Sequence, residues 1–309
     1  MLNLNNPLYR VHDSSKIQKY MVCERLYFFK YVLGLNSENP IHNLIFGSCF
    51  HLAKEVLFLN GYSKESIDKA MDAFLLEYRK TYSEDTDDLF KGKFPGNVEK
   101  ALLEYTLQFQ TDTFETLFTE VAMSVPIGHD RIIYGKLDAV LKDGEKIFSL
   151  ETKTSGALWA WWADQWLLKF QIDTYSHFLY SYFDPKQVEG IIIDGTIFRK
   201  NDIENLRVNC KRSFERISAW LWEANRHFDN LERDFEALAN TKEDDLFMPA
   251  FPRRTECCIQ YNRMCEFQDI CAAWHNPLQH LNEVPSGYKI EHWDPRKEDA
   301  KVSLTTVGK

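Results

Sequence analysis

The stretch that decides the fold is Gly135-Lys136-Leu137-Asp138-Ala139-Val140-Leu141, then Lys142-Asp143-Gly144-Glu145, then Ile147-Phe148-Ser149-Leu150-Glu151-Thr152-Lys153-Thr154-Ser155. It reads as two apolar-rich strands joined by an Asp-Gly turn. Side chains alternate along a strand, so Glu151 and Lys153 share one face. Pairing across the turn brings Asp138 to that same face. Two carboxylates and a lysine at a strand end are costly to bury unless they hold something. A divalent cation and a phosphate satisfy all three, and hydrolysis of a phosphodiester needs this arrangement. Mg²⁺ and Mn²⁺ are hard cations that take oxygen ligands, which Asp138 and Glu151 supply. Such a metal polarises the scissile phosphate and helps turn a water into hydroxide. Lys153 neutralises charge building on the phosphorane and orients that water. The competing reading is a surface hairpin with a solvated salt bridge.

Outward from the hairpin, composition sets the bounds. The 309 residues are 44% hydrophobic and 14% aromatic, enough for a sizeable core in one large or two modest domains. No apolar run reaches the roughly 20 residues needed to span a bilayer. The amino terminus lacks a basic segment followed by an apolar core, so a cytoplasmic protein is expected. A formal net charge of −9 argues against a protein that coats nucleic acid by charge alone. It leaves room for a local basic groove. One basic stretch carries Arg10, Lys16, Lys19, Arg25 and Lys30; another carries Arg253, Arg254 and Arg263.

Both stretches contain cysteines. Of seven in the chain, Cys257, Cys258, Cys265 and Cys271 crowd into one polar segment, while Cys23, Cys49 and Cys210 lie apart. Buried free cysteines behave as scattered small hydrophobes. Clustering points instead to a metal centre, zinc or iron–sulfur. The short CxxC knuckle of a zinc site is absent, and the looser spacing suits an iron–sulfur cluster with a fourth thiolate from elsewhere.

Five pieces, taken in order, resemble the PD-(D/E)XK nuclease superfamily, and within it the RecB-like exonucleases that carry a [4Fe–4S] cluster, CRISPR-associated and bacteriophage members included. They are Ser14 to Tyr31 with its Cys23-Glu24-Arg25; Gly47-Ser48-Cys49-Phe50-His51, similar to the family's GxxxH; Gly135 to Asp138 with Glu151-Thr152-Lys153; Gln171-Ile172-Asp173-Thr174-Tyr175, similar to QxxxY; and the cysteine-rich carboxyl end. The resemblance implies an α/β fold: a restriction-endonuclease-like mixed β-sheet flanked by helices, with a helical insertion and an iron–sulfur clasp. It implies that His51, Asp138, Glu151 and the Thr152 carbonyl ligate Mg²⁺ or Mn²⁺, with Lys153 as the catalytic lysine. Gln171 and Tyr175, four apart on one helix face, steady that lysine and the nucleic-acid backbone. Without the resemblance, His51 reads as a satisfied core histidine and Tyr175 as core packing. Cys23, Cys258, Cys265 and Cys271 become the cluster ligands, Cys258 rather than Cys257 by its C-x₆-C-x₅-C spacing. Cys49 and Cys210 are expected to be structural. Ligation would clasp opposite ends of the chain and fix the fold as structural zinc does. Arg25, Arg253 and Arg254 at the clasp are then expected to bind DNA.

Helices are predicted at 14–34, 44–60, 63–82, 97–118, 159–183 and 211–239, and strands at 120–127, 131–142, 145–153 and 188–199. The expected organisation is one nuclease domain over 1–309. Residues 14–34 with 250–275 form an iron–sulfur lobe, 60–118 a helical insertion and 285–309 a loosely held tail. Glu120 opens the strand leading to Gly135 and is a candidate acid near the site. In Leu158 to Trp166, Trp159, Trp162 and Trp166 fall on one helical face, either as core or as a stacking platform for unpaired bases. The leading function is a Mg²⁺/Mn²⁺-dependent DNA exonuclease acting on single-stranded or duplex ends in recombination, repair or phage DNA processing, with a possible recombination partner protein and no membrane association. The alternatives are a non-catalytic iron–sulfur DNA-binding or assembly subunit and a redox-sensing regulator.

Overall fold

The computed structural model describes residues 2–260, 263–297 and 301–306. A short strand β1 (His12–Asp13) leads into helix α1 (Ser14–Val22), capped by the Asp13 side chain on Lys16 N–H. The predicted single helix over 14–34 is broken at Cys23, which is extended (φ −162°, ψ 121°). Helix resumes as α2 (Glu24–Tyr27) and a π-turn over Phe28–Val32. The break turns Cys23 towards the carboxyl-terminal cysteines, a demand that helical periodicity does not encode.

Strand β2 (Leu35–Ser37) is followed by α3 (His42–Asn60), α4 (Lys64–Tyr78) and α5 (Pro95–Gln108). Ser63 caps α4 and Pro95 opens α5, where its missing N–H costs nothing. The central strands are β3 (Glu115–Gly128), β4 (Arg131–Asp143) and β5 (Lys146–Ser155). Then come α6 (Phe170–Tyr182), β6 (Val188–Phe198), β7 (Ile203–Cys210) and α7 (Phe214–Ala239). Strand β7 was not predicted, and Cys210 ends it. The carboxyl segment adds β8 (Ile259–Gln260), β9 (Arg263–Met264), α8 (Gln268–Ala273), β10 (Tyr288–Ile290) and β11 (Val302–Thr305).

The main sheet runs β11-β3-β4-β5-β6-β7, with β1 beside β4. The β3–β4, β4–β5 and β6–β7 pairs are antiparallel, whereas β5–β6, β1–β4 and β11–β3 are parallel. This is the mixed, helix-flanked sheet of a restriction-endonuclease-like α/β fold. One face packs against α1, α6 and α7 through residues such as Val121, Leu137, Ile193, Phe178 and Trp220. The other packs against α3, α4 and α5 through Ala139, Leu150, Phe50, Phe74 and Leu102. The 60–118 segment therefore covers a sheet face, and its last residues already belong to β3.

The described residues of the tail pair with the rest of the fold, where a loosely held 285–309 was expected. β10 pairs with β2, β11 extends the sheet edge, and Trp293 Nε1 donates to Asp13 Oδ2 at 2.7 Å. Residues 298–300 and 307–309 lie outside the described residues. Among the described residues, no helix is long and apolar enough to cross a membrane.

Candidate active site

The β4–β5 hairpin turns at Gly144 (φ +57°) and pairs from Asp143↔Lys146 to Ala139↔Leu150. There the two strands part. The next pair in register is Asp138 with Glu151, and the freed Thr152 N–H donates to Asp138 Oδ2 at 2.8 Å. The carboxylate thus stands in for a lost ladder acceptor and is fixed by the backbone. Further along β4, β1 takes up the edge at Ile133 and Tyr134.

Three elements converge on this fork. Helix α3 delivers His51, whose Nδ1 lies 3.3 Å from Asp138 Oδ2. One turn on, Lys54 pins α3 to β6 through a buried ion pair with Asp194 at 2.7 Å. Strand β5 delivers Glu151 and Lys153, joined Nζ to Oε1 at 2.7 Å. Helix α6 delivers Gln171, whose Nε2 donates to Glu151 Oε1 at 3.4 Å and to the Tyr175 hydroxyl at 3.0 Å. His51, Asp138, Glu151, Thr152, Lys153, Gln171 and Tyr175 are therefore one connected set drawn from three stretches of sequence.

The electrostatics match a site built for a charge it does not itself supply. Burial and the neighbouring Asp138 push Glu151 up to about 7. Burial works to raise Asp138 as well, but His51, Lys153 and the Thr152 N–H together hold it below the usual carboxylate range. For His51 and Lys153, burial works against the charged form and the carboxylates outweigh it, so both are raised. Glu151 Oε2 is buried with no hydrogen-bond partner. Such an orphaned acceptor is expensive unless a cation or donor meets it. Among the described residues, no group of three or more His, Cys, Asp or Glu side chains is already arranged to grip a metal ion. The donors fit a Mg²⁺ or Mn²⁺ ion in kind: two carboxylates, an imidazole and one free oxygen. Their present contacts are the ion pairs with each other.

Two neighbours were missed or only half seen. Glu120 lies between the pairs Thr119↔Ala139 and Val121↔Leu137, directly across from Asp138. Its carboxylate pairs with Lys136 at 2.5 Å, and its backbone is left-handed (φ +45°), a strained state for a non-glycine. Strand alternation alone could have placed it there. Lys93, from the segment before α5, donates to Thr154 Oγ1 at 3.2 Å. Nothing in its local sequence marks it.

The cysteines of the second predicted centre share a cavity, but among the described residues they form no group already set to hold a metal ion. Cys23, Cys257, Cys258, Cys265 and Cys271 line one cavity of about 250 Å³ together with Arg25, Arg253 and Arg254. Burial pushes the Cys257 thiol up to about 11, with Cys23 within hydrogen-bonding reach adding to it. Cys257 Sγ donates to the Arg254 carbonyl at 2.9 Å, whereas Cys258 Sγ is 4.0 Å from it. Five thiols thus face a cavity for which the sequence named four. Cys49 is buried in the α3–α4 core.

Of the three arginines expected to bind DNA, Arg25 is buried, while Arg253 and Arg254 are exposed. Arg25 is 3% exposed and donates to the carbonyls of Phe251 (2.8 Å) and Met248 (3.2 Å). It holds the 248–252 loop and offers no face to a phosphate. Arg254 pairs with Glu24, and Arg253 donates to the Trp274 carbonyl. The tryptophan run is turn and 3-10 helix rather than the start of a helix over 159–183. Trp162 and Trp166 are buried, while Trp159 and Trp161 are 43% and 71% exposed.

A mixed sheet carrying a D…ExK fork between flanking helices defines the nuclease-type α/β class. The family model of the PD-(D/E)XK nuclease superfamily matches residues 14–272, and the chain belongs to that superfamily. Its members are typically metal-dependent nucleases. Comparison with curated proteins finds no match. Among solved structures, "Crystal structure of SSO0001" is similar at 14% identity, over 70% of this chain and 82% of that one, with a TM-score of 0.27. A likeness of that size carries no argument.

Proposed function

We propose that the chain is a Mg²⁺- or Mn²⁺-dependent DNA exonuclease acting in recombination, repair or phage DNA processing, within the cytoplasm. The observation that carries this is the orphaned Glu151 Oε2 beside Asp138, His51 and Lys153. Asp138, Glu151, His51 and the Thr152 carbonyl would hold the ion. When bound, it supplies Lewis-acid polarisation of the scissile phosphate and lowers the pKa of a water. Lys153 neutralises charge growing on the phosphoryl oxygens and orients the attacking water. Gln171 fixes the Glu151 carboxylate that positions Lys153, and Tyr175 fixes Gln171. Gly195 pairs with Lys153 across β5–β6, and the Trp162 ring packs over Gly195.

The thiol-lined cavity is proposed to hold a [4Fe–4S] cluster clasping residues 14–34 to 250–275. Cys23 with three of the four carboxyl-terminal thiols supplies the ligands, Cys258, Cys265 and Cys271 being the set first expected. Burial raises the Cys271 thiol, and the neighbouring Arg253 and Arg25 pull it back towards the thiolate that an anionic cluster requires. End-labelled linear DNA and closed circular DNA, each incubated with Mn²⁺, test the exonuclease reading. Nucleotide release from linear DNA alone supports it, and nicking of the circle sinks it. DNA binding without any cleavage favours a non-catalytic iron–sulfur subunit.

A further inference from the structure

A second cavity, of about 590 Å³, is lined by Ser15, Gln18 and Lys19 of α1, Val22, Lys169 and Gln260 of β8. Every lining side chain but Val22 is polar, and none is acidic. Several lysines in or against the sheet have an acid beside them, as Lys54, Lys136, Lys153 and Lys301 do. No carboxylate partner is found for Lys19 or Lys169 among the described residues. The charges felt by Lys169 are those of Lys153 and Lys19, both cationic, and with burial they lower its pKa. The groove therefore continues the positive potential of the catalytic lysine outward along α1, to the hairpin of the cysteine segment. Crowded, unneutralised ammonium groups are stabilised by an anion that can touch several of them.

We propose that this groove binds the phosphate backbone of the nucleic-acid strand as it runs between the catalytic fork and the cysteine lobe, with Lys19 and Lys169 each meeting a phosphate and Ser15, Gln18 and Gln260 donating hydrogen bonds. This rests on the nuclease reading and names residues other than the three arginines taken from the sequence. Backbone contacts of this kind position a strand without reading its bases.

The test is the salt dependence of binding. Affinity of the full chain for a fluorescent single-stranded oligonucleotide is measured in chelator across a range of salt. Comparison is with the double variants Lys19→Gln/Lys169→Gln and Lys19→Arg/Lys169→Arg. Losing two phosphate contacts should flatten the slope of log K against log salt by about 1.4 in the Gln variant, at roughly 0.7 per contact. The Arg variant should keep the wild-type slope. An unchanged slope in the Gln variant, with wild-type binding and cleavage intact, overturns the groove and leaves the nuclease reading standing. An equal loss in the Arg variant assigns the effect to packing and also overturns it. A mononucleotide that competes as well as the oligonucleotide makes the groove a site for a free phosphate group and overturns the strand path. A wild-type chain that neither binds nor cuts DNA overturns both readings.

Discussion

Replacing Glu151 with Gln should stabilise the metal-free protein above neutral pH. Glu151 is 2% exposed, and burial together with the Asp138 charge lifts its pKa to about 7. In the unfolded chain the value is about 4.3. Because the folded-state value is the higher one, the folded protein holds this proton more tightly. The resulting stability is fully present below about pH 4 and is lost as the pH rises through about 7. A gap of roughly two to three pH units, at about 1.4 kcal/mol each, comes to about 3 kcal/mol by pH 8. Gln keeps the shape and carries no charge, so the variant escapes that loss. Typical unfolding entropies per residue convert 3 kcal/mol into about 5 °C for a chain of this length. Calorimetry in chelator at pH 5 and pH 8 reads the effect. The variant should melt about 5 °C above wild type at pH 8 and within about 2 °C of it at pH 5. Mn²⁺ at pH 8 should restore the wild type and leave the variant unmoved. A variant that melts at or below the wild type at pH 8 refutes the idea that this carboxylate stores charge for a cation.

Other substitutions reach other parts of the account. Lys54→Met leaves the buried Asp194 carboxylate to Tyr105 and Arg207 and should cost about 2–3 kcal/mol in denaturant unfolding; a loss below about 1 kcal/mol contradicts the anchoring of α3 by that pair. Gly195→Ala places a methyl group into the Trp162 ring opposite Lys153, so it should cost about 1–3 kcal/mol and lower the cleavage rate. Trp159→Ala with Trp161→Ala should weaken single-strand binding by about 1–3 kcal/mol per stacked base without moving Tm; full affinity in the double variant ends the stacking reading. Cys23→Ser should abolish bound iron and lower Tm, and Cys257→Ser against Cys258→Ser identifies which of the adjacent thiols ligates, iron content being the readout.

The fork was legible because its signals are local. Strand alternation puts Glu151 and Lys153 on one face, and the Asp-Gly turn returns Asp138 to them, so a single hairpin carries most of the chemistry. His51 and Gln171 were legible only through resemblance, since each looks like ordinary helix packing until α3 and α6 are docked on the sheet. The elements misjudged are those in which tertiary demand overrode local propensity. Cys23 interrupts a good helical period to turn its thiol, and the tryptophan run gives up helix so that Trp162 can cover Gly195. Local sequence suggests a surface cation at Arg25, but its guanidinium is buried and donates to two carbonyls more than 220 positions away, a pairing that no local pattern encodes. Polarity alone suggests a loose tail, yet an edge strand such as β11 needs only backbone partners.

The central claim is that Asp138, Glu151, His51 and Lys153 form one metal-dependent phosphodiester-cleaving centre. Single-turnover cleavage of an end-labelled DNA strand with Mn²⁺, wild type beside Lys153→Ala, tests it most directly. The account predicts nucleotide release by the wild type that stops when the metal is chelated. In Lys153→Ala it predicts cleavage lost by at least about a hundredfold with DNA still bound. Cleavage that survives either the chelator or the loss of Lys153 would contradict it.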